Sequence, residues 1–163
     1  MQSICLETAR LKLVLQTPEE VRASIDAMDE VSKSQISADW LARLNAAASP
    51  DPWVHSFSLV RLDSGISIGQ CGFKGPPDEA GMVEIAYGVS ADQEGNGFAT
   101  EAARALLAYA FTFDHVSMVR AHTLPLSKAS QRILAKCGFR YVGEITDPED
   151  GLVSRFEYAR NKR

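Results

Sequence analysis

The apolar positions of this 163-residue chain follow two periods, and the changes of period divide it into strands and helices. Alternation of apolar and other residues over 11–15 is typical of a strand with one buried face. Ala102, Leu106 and Ala110 recur at helical spacing, which predicts that a helix over 99–113 packs closely on a sheet. Further strands are predicted over 57–62, 66–73, 82–89, 118–124, 139–145 and 152–159.

Capping and turn residues mark where the other helices begin and end. Thr17, Pro18 and Glu20 form a helix start with a side-chain cap, and we expect this helix to run to about Val31. A short helix is expected from about Ser37, and another over 127–136 that ends before a left-handed glycine at position 138. This order of elements predicts a mixed α+β architecture, with one domain over residues 1–163.

Composition narrows the class of protein. Hydrophobic residues make up 45% and charged residues 23%, as in ordinary globular proteins. Seventeen Lys and Arg against 21 Asp and Glu give a net charge of −4, which argues against nucleic-acid and membrane partners. The start of the chain lacks the features of a signal peptide. The three cysteines, Cys5, Cys71 and Cys137, show no CxxC spacing, so we expect a reduced cytoplasmic protein without a metal.

The segment 94–102 joins the strand over 82–89 to the helix over 99–113 and carries glycines at positions 95 and 97. Glycines free the backbone of side chains there, and the first amides of a helix have no partner within it. Such a turn can hold a phosphate group. A P-loop would need a lysine after Gly97, where Phe98 stands, and a dinucleotide fingerprint would need Gly or Ala in place of Thr100.

The segment 94–102 resembles the coenzyme A diphosphate loop of the GNAT-type N-acetyltransferases, whose form is Gln/Arg-x-x-Gly-x-Gly/Ala. Its Gly-Phe-Ala-Thr-Glu-Ala ending is typical of the branch that contains ribosomal-protein N-terminal acetyltransferases. Residues 127–139 are similar to that branch's Asn-x-Ala-Ser-x-x-x-Leu-x-Lys-x-Gly-Phe, and residues 6–13 resemble its first strand. The resemblance implies a mostly antiparallel twisted sheet of about seven strands with about four helices.

The resemblance also implies acetyl-CoA as the co-substrate and places its binding residues. Two positions depart from the family pattern. Glu94 stands where the family has Gln or Arg, so its side chain is expected to face solvent, and Ser127 stands where the family has Asn. The implied cofactor-binding residues are Tyr87, Gly88, Val89, Gly95, Asn96, Gly97, Phe98, Ala99, Thr100, Ser127 and Ser130.

Glu84 is the candidate general base for transfer to an amine, which must lose a proton before it attacks. It is the one charged residue of the strand over 82–89. Because burial of a carboxylate among apolar residues costs free energy, such a residue has either a partner that compensates its charge or a functional role. Many GNAT-type enzymes use a Glu on this strand as the base. The alternative interpretation is a structural ion pair.

Ser130 is the candidate acid for the departing thiolate, and its alternative role is a local bond near a helix start. The family's strand bulges and splays beside the cofactor, which by position implies Tyr87, Gly88 and Val89. A bulge at Gly88 fits this expectation, and close packing is its alternative.

Four further residues are candidates for an acceptor pocket that includes Glu84. By resemblance, Trp40, Trp53, His55 and Phe73 face the open side of the sheet, although large aromatics more often belong to the core. His115 and His122 show no metal-ligand spacing with cysteines or carboxylates, and no metal is predicted.

The preferred hypothesis is an acetyl-CoA-dependent N-acetyltransferase. It would transfer acetyl directly to a primary amine in a ternary complex, because the sequence offers no convincing nucleophile triad. The acceptor would be a small molecule or a peptide, and the protein a monomer or a homodimer. The alternatives are a catalytically silent coenzyme A-binding module and a nucleotide-binding protein.

Overall fold

A computed structural model describes residues 4–148 and 150–160 of the chain. The outer ends of the predicted domain, including part of the segment searched for a signal peptide, lie outside the described residues. The helices are α1 Pro18–Asp26, α2 Glu30–Ser34, α3 Ala38–Ala46, α4 Phe98–Ala110 and α5 Lys128–Lys136, with one 3-10 turn at Ala91–Gln93. The strands are β1 Cys5–Glu7, β2 Leu11–Leu15, β3 Phe57–Arg61, β4 Ser67–Phe73, β5 Met82–Val89, β6 Met118–Thr123, β7 Arg140–Asp147 and β8 Gly151–Ala159.

The first helix begins as the sequence predicts but ends earlier. Thr17 accepts a hydrogen bond from the Glu20 amide at 3.1 Å, and the Glu20 carboxylate accepts one from the Thr17 amide at 3.1 Å. The helix stops at Asp26 rather than near Val31, because Asp29 adopts an extended backbone and its side chain accepts from the Ser32 amide. Asp29 thereby caps the separate helix α2.

The strands form one sheet in the order β1-β2-β3-β4-β5-β6-β8-β7. Its pairs are antiparallel except β5 with β6, which run parallel. The predicted mixed α+β fold with a mostly antiparallel sheet is confirmed. The described residues contain eight strands and five helices, where about seven and about four were expected, because the short elements β1 and α2 have no strong period of their own.

The one parallel pair among the described strands diverges halfway along. Pairing between β5 and β6 runs from Met82 opposite Met118 to Ile85 opposite Ala121, whereas β4 pairs with β5 as far as Val89. The carboxyl-terminal half of β5 is therefore paired on one edge and open on the other.

The main core lies between the sheet and helix α4. Ala102, Ala103, Leu106 and Ala110 are fully buried on one face of α4, so small side chains allow the helix to lie close to the strands. A smaller apolar cluster forms around Val21, Leu44 and Val54 beneath α1 and α3. No helix in the described part of the chain is both long enough and apolar enough to cross a membrane.

Candidate functional site

The open half of β5 borders a cavity of about 550 Å³, here called the loop cavity. The structure brings most of the predicted cofactor-binding residues to its lining. They are Tyr87, Gly88 and Val89 on β5, Gly95, Gly97, Phe98, Ala99 and Thr100 at the start of α4, and Ser127 and Ser130 near the start of α5.

Backbone amides at the start of α4 make the loop cavity suitable for an anion. Gly95 and Gly97 have φ of +79° and +83°, a conformation that costs residues with a side chain and favours glycine. Gly97 is the N-cap of α4 and offers no side chain to the amides of the first turn. Those amides are left for a ligand, at the positive end of a thirteen-residue helix.

Asn96 does not line the loop cavity. Its side-chain amide donates to the carbonyls of Gln93 at 3.2 Å and Glu94 at 3.4 Å. The side chain thus bonds within the turn instead of facing a ligand, and the expected cofactor contact of Asn96 would be made by its backbone amide. Glu94 is exposed, as expected, and also borders the cavity.

The edge of β5 that faces the opening carries backbone groups of Tyr87 and Val89. The Lys74 amide donates to the Glu84 carbonyl at 2.9 Å, and the Ser90 amide donates to the Ile68 carbonyl at 2.7 Å. Successive strand residues direct their backbone groups to opposite edges, so the even-numbered residues bond β4 and the odd-numbered ones face the opening.

The expected bulge at Gly88 is absent from the described β4–β5 ladder, whose register is continuous from Phe73 opposite Ile85 to Gly69 opposite Val89. Divergence of β6, rather than a bulge, opens the strand. The alternative, that close packing requires a glycine at position 88, is also wrong, because a methyl group at Gly88 would meet no atom within 4 Å.

Helix α5 lines the opposite side of the loop cavity. Ser130 is half-buried, and within the described residues its hydroxyl has no hydrogen-bond partner. Ser127 is the N-cap of α5, but its side chain makes no capping bond. Arg132 and Lys136, four residues apart on the same helix, add two positive charges that the sequence argument missed, although their spacing could have indicated them.

A second cavity of about 540 Å³, here called the helix cavity, lies beside α1 and α3. Trp40 and Phe73, two of the candidates for an acceptor pocket, line it together with Lys74, Ala86 and Asp150. Tyr87 lines both cavities, so the two spaces meet at the open half of β5.

The structure keeps two of the predicted acceptor residues away from the helix cavity. Trp53 packs in the core with its ring centroid 4.8 Å from that of Phe73 and 5.1 Å from that of Phe113. His55 is buried, and its Nδ1 accepts a hydrogen bond from the Asp51 amide at 2.9 Å. Burial lowers the pKa of His55, which keeps this ring neutral. Neither residue lines the helix cavity, which corrects their expected place in the acceptor pocket.

Glu84 is mostly buried and does not line the helix cavity, where it was expected, but it has two close neighbours, of which Lys74 lines that cavity. Its Oε2 lies 3.1 Å from Lys74 Nζ and 3.5 Å from His122 Nδ1. Lys74 Nζ also lies 2.9 Å from Asp150 Oδ2. Burial opposes the charge on Lys74, but its contacts with Asp150 and Glu84 prevail and raise its pKa. The ion pair that sequence analysis held as an alternative for Glu84 is therefore present.

His122 comes closer to carboxylates than its sequence spacing suggested. Ligand atoms of Glu84, His122 and Asp150 lie within 4.8 Å of one another. The ammonium of Lys74 contacts both carboxylates, and His122 Nε2 accepts from Arg155 Nε at 3.1 Å. The proton of a neutral His122 therefore sits on Nδ1, which makes this nitrogen a donor rather than a metal ligand.

The buried thiols are poor candidates for a nucleophile. Burial raises the pKa of Cys71 and of Cys137, so both remain in the unreactive thiol form. Cys137 also donates a weak hydrogen bond to the Thr100 carbonyl at 3.7 Å.

Lys74 and Asp150 are the residues of this region that sequence reasoning missed. They are 76 positions apart, and their contact depends on the turn between β7 and β8 reaching the end of β4. No motif or spacing in the sequence signals that approach.

An open strand edge, a helix start free of side chains and two cavities that share Tyr87 lie together on one mixed α+β fold. The family model described as an acetyltransferase (GNAT) domain matches residues 7–140. This protein belongs to that family.

Individual relatives agree with the assignment. The chain is 32% identical over 99 residues to the uncharacterised N-acetyltransferase YjdG of Bacillus subtilis, a match that covers 61% of this chain and 56% of YjdG. The chain thus matches about half the length of this curated relative.

Solved structures share the fold at low sequence identity. Ribosomal-protein-S5-alanine acetyltransferase from Vibrio fischeri superposes with a TM-score of 0.68 at 14% identity, over 96% of each chain. The aminoglycoside acetyltransferase AAC(6')-Ib in complex with coenzyme A gives a TM-score of 0.63 at 19% identity, over 92% of this chain and 95% of the other.

Proposed function

We propose that this protein is an N-acetyltransferase that moves an acetyl group from acetyl-CoA directly to a primary amine in a ternary complex. The observation that carries the proposal is the meeting of the loop cavity and the helix cavity at Tyr87. A cofactor in one cavity and an acceptor in the other would place thioester and amine at the same strand, without an acyl-enzyme between them.

The loop cavity suits coenzyme A. Amides at the start of α4 would hold its diphosphate, while Arg132 and Lys136 add positive charge to the same cavity. The pantetheine arm would run along the open edge of β5, where the Tyr87 and Val89 backbone groups can bond it. The likeness to AAC(6')-Ib, whose structure contains coenzyme A, supports this placement.

Three groups of this chain can serve the chemistry. Glu84 would take a proton from the acceptor's ammonium, directly or through water, and leave a neutral amine. A backbone amide on the open edge of β5 would polarise the thioester carbonyl as the amine attacks. When the carbon–sulfur bond breaks, the Ser130 hydroxyl, which lacks a partner within the described residues, would supply a hydrogen bond or a proton to the thiolate.

The helix cavity would accept a small molecule or the end of a peptide. Its lining includes Asp39 and Asp150 as well as Arg43 and Lys74, so it does not select one sign of charge. The fold neighbours include AAC(6')-Ib with ribostamycin and coenzyme A, and a ribosomal-protein acetyltransferase. An aminoglycoside and a peptide amine therefore both belong in the acceptor screen.

The base is tested by comparing Glu84→Gln with the wild type. Release of free thiol from acetyl-CoA is measured with spermidine, L-lysine, ribostamycin and peptides with a free N-terminal Ala or Ser. We expect release with at least one amine, and a loss of about 10²–10⁴-fold in kcat for Glu84→Gln, the usual contribution of a positioned base. Affinity for coenzyme A should stay the same, and the exposed control Glu79→Gln should behave as wild type.

Equal kcat values for Glu84→Gln and the wild type at every pH would exclude Glu84 as the base. Binding of coenzyme A without thiol release across the panel would support a silent binding module. Tighter binding of ATP or NAD than of coenzyme A would support a nucleotide-binding protein.

A further inference from the structure

Lys74 stands between the candidate base and a second carboxylate. It follows β4 directly, and its side chain is 35% exposed on the lining of the helix cavity. Its Nζ lies 3.1 Å from Glu84 Oε2 and 2.9 Å from Asp150 Oδ2. One ammonium therefore bridges two carboxylates, of which only Glu84 has a proposed role in the reaction.

Asp150 is held in place by the turn that carries it. The Asp150 amide donates to Asp147 Oδ2 at 3.0 Å, and Gly151 follows with a φ of +75°, which reverses the chain into β8. The turn brings Asp150 from the far end of the sheet to the lining of the helix cavity. The turn thus places the Asp150 carboxylate beside the partly exposed Lys74 side chain.

His122 limits where the Glu84 carboxylate can go. Its side chain is 5% exposed, its Nε2 accepts from Arg155 Nε, and its Nδ1 lies 3.5 Å from Glu84 Oε2. The Lys74 ammonium from the end of β4 and the His122 ring from β6 thus both approach the same carboxylate oxygen, although His122 Nδ1 makes no hydrogen bond within the described residues. An acceptor ammonium must share or replace one of them to reach Glu84.

We propose that Asp150 is a positioning residue. When an acceptor amine replaces the Lys74 ammonium at Glu84, Asp150 holds that ammonium. The inference rests on the proposed function of Glu84 as the base. His122 is buried and fixed by Arg155, so Lys74 is the donor that can move away. Asp150 gives it a partner in its new position, so the partly exposed ammonium stays paired.

Paired contacts with two carboxylates also raise the pKa of Lys74, which stays charged throughout. Without Asp150, the Lys74 ammonium would have Glu84 as its remaining carboxylate partner in this cluster and would compete with the acceptor. The effect of removing Asp150 should therefore depend on the presence of the lysine. A purely structural role of Asp150 would show no such dependence.

The test uses Asp150→Asn, Lys74→Met and the double variant in the full chain, with acetyl-CoA and the most reactive amine of the panel. Asp150→Asn should lower kcat/KM about fivefold, the scale of one partly exposed ion pair. Lys74→Met sets the reference rate for a chain without the ammonium, and adding Asp150→Asn in that background should cause no further loss of kcat/KM. Lys33→Met and Glu30→Gln, from an ion pair on α2, serve as matched controls.

Each outcome separates this inference from the proposed function. The same fold loss on adding Asp150→Asn to the wild type and to Lys74→Met, or no loss in Asp150→Asn while Glu84→Gln is impaired, would overturn the role of Asp150 alone. Wild-type activity in Glu84→Gln, or no thiol release by the wild-type protein, would overturn both. A loss from Asp150→Asn that occurs only when Lys74 is present, with Glu84→Gln impaired, would support both.

Discussion

At the scale of single residues, two neighbouring glycines on β4 and β5 have opposite surroundings. A methyl group added to Gly69 would lie 2.1 Å from the Gly88 carbonyl oxygen, which is too close for any real contact. One added to Gly88 would meet no atom within 4 Å. Gly69 therefore permits close approach of the backbones, while Gly88 leaves space open beside the loop cavity.

Gly69→Ala should lower the free energy of unfolding by about 1–3 kcal/mol, the usual cost of forcing an extra group into packed structure. Urea denaturation at neutral pH measures it. Gly88→Ala is the matched control on the neighbouring strand and should retain nearly wild-type stability. Equal stability of the two variants would contradict the close approach at Gly69.

At the scale of elements, the start of α4 is tied to the segment between β1 and β2. Glu101, in the first turn of the helix, accepts hydrogen bonds from the Thr8 hydroxyl at 2.7 Å and from the Arg10 amide at 3.1 Å, and it pairs with the Arg10 guanidinium. The guanidinium groups of Arg10 and Arg61 also stack over Phe98, at 4.4 and 5.1 Å from the ring centroid. These contacts fix the direction in which the first amides of α4 point.

Partial burial opposes ionisation of Glu101, but the hydrogen bonds from Thr8 and Arg10 prevail and lower its pKa. A lowered pKa in the folded state means that the stabilisation is present above the ordinary carboxyl pKa of about 4.3, and is lost as the pH falls through the lower folded value. Glu101→Gln should therefore cost about 1–3 kcal/mol at pH 7, the range for hydrogen bonds to a charged group, and much less near pH 3.

Urea denaturation of the wild type and Glu101→Gln at both pH values measures this difference, with the exposed Glu79→Gln as the control. A stability difference that stays constant between pH 7 and pH 3 would show that the charge of Glu101 does not contribute.

At the scale of the whole molecule, ligand binding and folding are linked through the loop cavity. Its walls come from β5, the start of α4 and α5, so a ligand bound there would join three elements. A ligand that binds only the folded state stabilises it by about 2.7 kcal/mol at 100 times its dissociation constant. For a domain of this size that corresponds to a rise in Tm of roughly 5–10 °C.

We therefore expect coenzyme A to raise the Tm by about this amount and Gly97→Trp, which fills the turn at the start of α4, to abolish the shift. Differential scanning fluorimetry with coenzyme A, ATP and NAD measures it, and Gly65→Trp, at a glycine with open surroundings in the β3–β4 turn, is the control. A folded Gly97→Trp variant with an unchanged shift would place the diphosphate elsewhere.

The mixed α+β plan, the capped start of α1 and the glycine turn before α4 could be predicted from the sequence, because each rests on contacts between near neighbours in the chain. The signals are all local: apolar positions that repeat every two residues in strands and every 3.6 residues in helices, a Thr–Glu helix cap, and two glycines close together in a turn. The end of α1 could not be predicted in this way, since the polar run around Asp29 permits either a continued helix or a new cap.

Only the tertiary structure decided which side chains share a cavity. Divergence of β6 from β5, rather than a bulge at Gly88, opens the strand edge. Core packing takes Trp53 and His55 away from the helix cavity, and the β7–β8 turn brings Asp150 to Lys74 and Glu84. The sequence determines the backbone plan through local propensity, whereas the partners of a side chain depend on strand register and on turns that connect residues far apart in the chain.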